Sequence, residues 1–138
     1  MVHVWQYGAA AAASGYIVGL VGIVKISGII TQHTAALILS DCATWIRQKK
    51  LVAHVADCSR ACMTITPADL ATAMQTMPHF DIPVAVVACE CELDAWHEQS
   101  TVQAQHGLCR AAFPAIEPAL RWAGRHGPAY HALRDAPA

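Results

Sequence analysis

Cysteine and histidine are the residues whose chemistry stands out. Six cysteines fall at 42, 58, 62, 89, 91 and 109, among eight histidines in 138 residues. Three spacings bring soft donors together: Cys58-x3-Cys62, Cys89-x-Cys91 and His106-x2-Cys109, with His97 nearby in sequence. Thiolates and imidazoles are zinc ligands, but the usual C-x2-C pair is missing, and Cys89 and Cys91 share a strand-to-helix turn. A nucleophilic thiol is the second reading. Cys58, Cys62 and Cys91 lie near helix starts, where a thiol pKa falls, with His54 or His97 as base. A third group, Glu90, Glu92 and Asp94, stands in the first turn of a helix, where acids simply complement the dipole. No catalytic residue, resident metal or cofactor is assigned from these patterns. Buried cysteines ordinarily act as small apolar residues, so all six are taken as reduced thiols.

Composition narrows the class. A chain of this length suits one domain with a real core. Hydrophobic residues make up 55%, charged residues 14%, and the net charge is −1. That balance disfavours a nucleic-acid binder relying on phosphate neutralisation. No convincing secretory signal is present, and a cytoplasmic setting follows.

The elements that must position these residues are organised around Leu51 to Met77. Val52 and Val55, with alanines between them, suit a strand buried on both faces and ending at Asp57. A small-residue loop is expected from Asp57 to Thr66. Thr66 is a good N-cap, Pro67 fits the first helical position, and Leu70, Ala73, Met74 and Met77 line one face. Loops at the carboxyl ends of parallel strands are where open α/β sheets place their sites.

Before this unit, Met1–Tyr7 alternates like a strand, and Gly8–Gly15 (GAAAAASG) reads as a low-complexity linker. Gly15–Thr31 has a single charge, Lys25, so a membrane span is weighed. Its β-branched residues and four glycines favour one or two buried strands instead. Thr31–Lys50 is a helix with basic residues at its carboxyl end. Val84–Cys89 is a continuous apolar strand, Glu90–Gly107 a more polar helix, Leu108–Phe113 a short strand, and Pro114–Arg125 the last helix. Gly127-Pro128 reads as its stop, leaving residues 126–138 as a loose tail behind a domain at 1–125. The expected class is α/β, a single domain with a mostly parallel central sheet in β-β-α-β-α-β-α-β-α order and no membrane span.

That order resembles the STAS domain, the fold of anti-sigma-factor antagonists and of the cytosolic part of sulfate transporters. Ile23–Ile30 (IVKISGII) looks like the family's "VVRLSGEI", Asp57-Cys58-Ser59 like its "DLS", and Phe113–Trp122 (FPAIEPALRW) like its closing "F-x-x-x-E-x-A-L" helix. The likeness covers about 15–125. In the family a serine opens the next helix within "DSSG". The matching position here is Thr66, but Ile65, Pro67 and Ala68 depart from that pattern. The resemblance implies a non-catalytic regulatory module that binds a protein partner, of the anti-sigma or sensor type, or a small ligand. Its contact surface would be the loop after the third strand and the following helix start. Asp57, Ser59, Thr64 and Thr66 are the contact or phospho-acceptor candidates. A homodimer is compatible with this reading. The alternative is a small cysteine/histidine-dependent or zinc-binding enzyme.

Overall fold

The computed structural model of the chain describes residues 2–77 and 79–134, with side-chain surroundings as far as 128. Ten elements follow one another: β1 (His3–Tyr7), β2 (Ala11–Val18), β3 (Val21–Ile30), α1 (Gln32–Lys49), β4 (Ala53–Met63), α2 (Pro67–Thr76), β5 (Val84–Val87), α3 (Glu90–Gln105), β6 (Arg110–Phe113) and α4 (Ile116–Arg134). The six strands lie in one sheet in sequence order, β1-β2-β3-β4-β5-β6. The pairs β1–β2 and β2–β3 are antiparallel, while β3–β4, β4–β5 and β5–β6 are parallel. The α/β class and the mostly parallel sheet agree with the sequence, with one strand more than expected.

The extra strand is β2. Ala11–Gly15, read as part of a linker, is paired along its whole length with both neighbours. Alanines give little strand signal, but here the space above them is taken by indole rings. Trp5 and Trp45 meet edge-to-face with centroids 5.6 Å apart. A Cβ at Gly15 would lie 2.9 Å from the Trp5 ring and 3.1 Å from that of Trp45. Small residues are therefore required in β2, and Ala11 and Ala13 are buried. The stretch weighed as a membrane span is the β2–β3 hairpin. No described helix is long and apolar enough to cross a membrane.

Parallel strands laid down in consecutive order need right-handed crossovers, and these place every crossover helix on the same face. Helices α1, α2 and α3 accordingly cover one face, contacting each other in order. Their core is built on Val24, Ile26, Ile30, Ile38, Leu39, Trp45, Leu70, Met74, Phe80, Val86 and Trp96. The opposite face is covered by α4 alone, which packs Ala119 and Ala123 on Val21, Ile23, Ala53, Val55, Ala85 and Val87.

Helix ends follow their sequence signals. Thr31 caps α1 by accepting from the Thr34 N–H at 3.2 Å, and Thr66 caps α2 by accepting from the Asp69 N–H at 3.1 Å. The expected stop at Gly127-Pro128 is not a stop: α4 continues to Arg134 with Pro128 inside it. Gly127 is buried where α4 crosses the start of β4, and a Cβ there would come within 2.9 Å of the Ala53 side chain. The glycine serves a close helix-to-strand approach, not a helix end. The remainder of the expected tail, 135–138, lies outside the described residues.

Candidate functional site

The region after Asp57 was expected to be a loop. It is strand: β4 stays paired with β3 as far as Met63. From Lys25↔Asp57 to Ser27↔Arg60, β3 advances by two residues and β4 by three, so one residue of β4 bulges out. A bulge breaks the period-two pattern, which is why C-S-R-A-C-M does not read as a strand. Asp57 stabilises the bulge from within. Its Oδ1 accepts from the Ser59 N–H at 3.1 Å and from the Ser59 hydroxyl at 2.6 Å.

This bulge borders an opening on the α4 side of the sheet. A cleft of about 430 Å³ is lined by Lys25, Asp57, Ser59 and Arg60, with Val87 below and Ile116 at the start of α4. It lies beside the middle of β4 and the carboxyl end of β5, where the sheet runs beyond the cover of α4. Carboxyl ends of parallel strands are where open α/β sheets commonly hold ligands. Lys25 extends toward Tyr16, its Nζ 5.7 Å from the ring centroid. The walls thus offer two cations, one carboxylate and the hydroxyls of Ser14, Ser27 and Ser59.

The four candidate contact residues divide into two pairs. Asp57 and Ser59 stand together in the cleft wall. Thr64 and Thr66 lie beyond the last residues of β4. The Thr64 hydroxyl donates to the Ile30 carbonyl at 2.9 Å and ties the end of β4 to β3. Thr66 is exposed and caps α2. Lys25 and Arg60 carry no signal of a site in the sequence. Only the bulge register, invisible without the pairing, puts them beside Asp57.

The cysteines behave in two ways. Cys42 and Cys58 are buried, and burial, helped by the nearby Asp41 and Asp57 charges respectively, pushes each thiol up to about 12. They are packing residues. Cys89 and Cys91 are exposed at the start of α3, with their sulfurs 2.7 Å apart. Cys58, considered from the sequence as a partner of Cys89, is buried, and it is not among the residues whose ligand atoms cluster with Cys89. Among the described residues, Cys89, Cys91 and Glu92 bring three possible ligand atoms within 4.8 Å of one another. His54, considered as a base, is enclosed between β3 and the Phe80 ring, 5.9 Å from that ring. Burial, with the Arg110 charge adding to it, lowers its pKa to about 4 against the opposing effect of a hydrogen bond from the ring to the Gly22 backbone. A thiol at the surface is out of its reach.

Neither a family model nor a curated protein matches this sequence. A solved structure does: an anti-sigma factor antagonist from Mycobacterium paratuberculosis, with a TM-score of 0.63 at 15% identity. The match covers 87% of this chain and 99% of that one. The fold is STAS-like. Within the STAS-like frame, the capped start of α2 and the first turn of α4 follow the carboxyl ends of β4 and β6, while the Asp57 bulge interrupts β4 midway.

Proposed function

We propose that this chain is a non-catalytic regulatory module that binds a protein partner. The observation that supports this reading is a fold shared over nearly the whole length of an anti-sigma factor antagonist. The contact surface would run from the Asp57–Ser59 bulge, past Thr64, to Thr66 at the start of α2. The partner would be a regulator of the anti-sigma or sensor type, met in the cytoplasm. A small ligand in the neighbouring cleft is the other occupant this surface would accept.

The chemistry of the surface suits recognition. It offers a fixed backbone bulge, exposed hydroxyls at 59 and 66, and charges of both signs at Lys25, Arg60 and Asp57. A cysteine/histidine-dependent or zinc enzyme is favoured less. The exposed sulfurs have Glu92 beside them, while His54 is enclosed and His97 lies outside that cluster.

The test is affinity purification of the tagged chain from its own cells, followed by titration of the recovered regulator. Asp57→Ala frees the bulge and should weaken binding by about tenfold, near 1.4 kcal/mol. The variant should remain folded, because Asp57 is only half-buried. Retention of full affinity by Asp57→Ala and by Ser59→Ala would move the contact surface elsewhere. Stoichiometric zinc in the purified protein would favour the enzyme reading.

A further inference from the structure

We propose that Cys89 and Cys91 form a redox-active dithiol that closes reversibly to an intramolecular disulfide at the start of α3. This inference stands apart from the regulatory reading and does not depend on it. Four observations carry it.

The sulfurs already lie 2.7 Å apart. A disulfide bond is about 2.05 Å long, so closure needs an approach of about 0.7 Å. The backbone on both sides is fixed. Cys89 is the N-cap of α3 and follows the fully buried strand Val84–Val87, while Cys91 lies in the first helical turn. The Cys89 side chain makes no capping hydrogen bond, so closing the ring sacrifices no helix cap. Finally, both residues are exposed and can meet a reagent in solution. Burial protects Cys42 and Cys58 from the same reagent.

The same spacing argues against a resident metal. Two thiolates on one tetrahedral zinc ion, each at about 2.3 Å, stand about 3.8 Å apart. The pair would have to open by about 1 Å to hold zinc, but only close slightly to form a bond. The Cys91 thiol is held up first by its hydrogen bond to Cys89, then by desolvation and the neighbouring charges of Cys89 and Glu92.

The oxidant would be a low-molecular-weight disulfide, RSSR. One thiolate attacks it, forming a mixed disulfide and releasing RSH. The second sulfur then displaces the remaining RS group, which leaves as RSH after taking up a proton. Two thiols and RSSR become one intramolecular disulfide and two RSH, with two electrons passed to the reagent. A dithiol reverses the exchange.

The test incubates the reduced full chain with oxidised glutathione, quenches it by alkylation and maps the peptides by mass. The expected product is a peptide spanning 89 and 91 that is lighter by two hydrogens, resists alkylation and is restored by dithiothreitol. Cys89→Ser and Cys91→Ser should each stop at a glutathione adduct on the remaining cysteine. Cys62→Ser, a change at another exposed thiol, should leave the 89–91 disulfide intact. Thermal melting of each serine variant confirms that it is folded. Glutathione adducts on both cysteines of the wild type without ring closure would overturn the proposal. So would alkylation of both to the same extent as Cys62. Stoichiometric binding of added zinc that blocks oxidation would assign the pair to a metal instead.

Discussion

His54 is a histidine placed where a proton is unwelcome. It is buried in the middle of the sheet, its Nδ1 has no hydrogen-bond partner, and its neighbour across β5 is Arg110 on β6. Burial and that guanidinium take its pKa from 6.5 to about 4. The sign follows directly. Above pH 6.5 the residue is neutral in both folded and unfolded chains, and pH has no leverage through it. Between 6.5 and 4 the unfolded chain takes up a proton that the folded one refuses, so stability falls as pH falls. Below 4 both are protonated and the loss levels off, at about 3 kcal/mol in total. Urea unfolding of the wild type at pH 7 and pH 4.5 should show this decline, and His54→Leu should flatten it. An equally steep decline in the leucine variant would place the acid sensitivity in the carboxylates.

Among the elements, β2, β4 and α4 show where sequence reasoning reaches and where it stops. The β4–α2 unit was legible because its signals are local: buried valines, then a threonine cap, then a proline at the first helical position. The half of β4 beyond Asp57 was not, because its structure comes from β3 through a bulge that erases alternation. The alanines of β2 carry meaning only against Trp5 and Trp45, which are distant in sequence. Glycine is ambiguous for the same reason, and two of them should respond with opposite signs. Gly28 has φ +94°, and a Cβ there would collide with the Ala10 carbonyl oxygen. Gly28→Ala should therefore destabilise by well over 1 kcal/mol. Gly124 is exposed inside α4 with nothing within 4 Å of an added Cβ, so Gly124→Ala should gain roughly 0.5–1 kcal/mol of stability. Val55, fully buried beneath α4, sets the other extreme: Val55→Asp should cost several kcal/mol. Melting temperatures of the three variants check the ordering Gly124→Ala above wild type, then Gly28→Ala, then Val55→Asp.

At the scale of the whole molecule, three helices cover one face of the sheet and a single helix serves the other. That imbalance creates the candidate site, because six strands are wider than one helix. The uncovered part of the second face holds Lys25, Ser27, Arg60 and the Asp57–Ser59 turn. The resemblance to the STAS pattern was readable from the order of elements. The cleft depends on how far α4 reaches, which the sequence does not state. Thr66 belongs to the rim of the molecule, and its role separates fold from regulation. As a cap it satisfies one N–H at the start of α2, so Thr66→Ala should lose about 1 kcal/mol, while Thr66→Ser and Thr66→Asp should be nearly neutral because all three side chains can cap. As a phospho-acceptor it would sit at a helix N-terminus, where free N–H groups and the dipole favour a phosphate. Thr66→Asp would then alter partner affinity without altering the melt. The flanking Ile65, Pro67 and Ala68 give a modifying kinase little polar sequence to read. The expected result is therefore the stability series, with Thr66→Asp binding its partner within tenfold of wild type. A Thr66→Asp protein that melts like wild type and binds more than tenfold more weakly would make this hydroxyl the regulatory point of the surface.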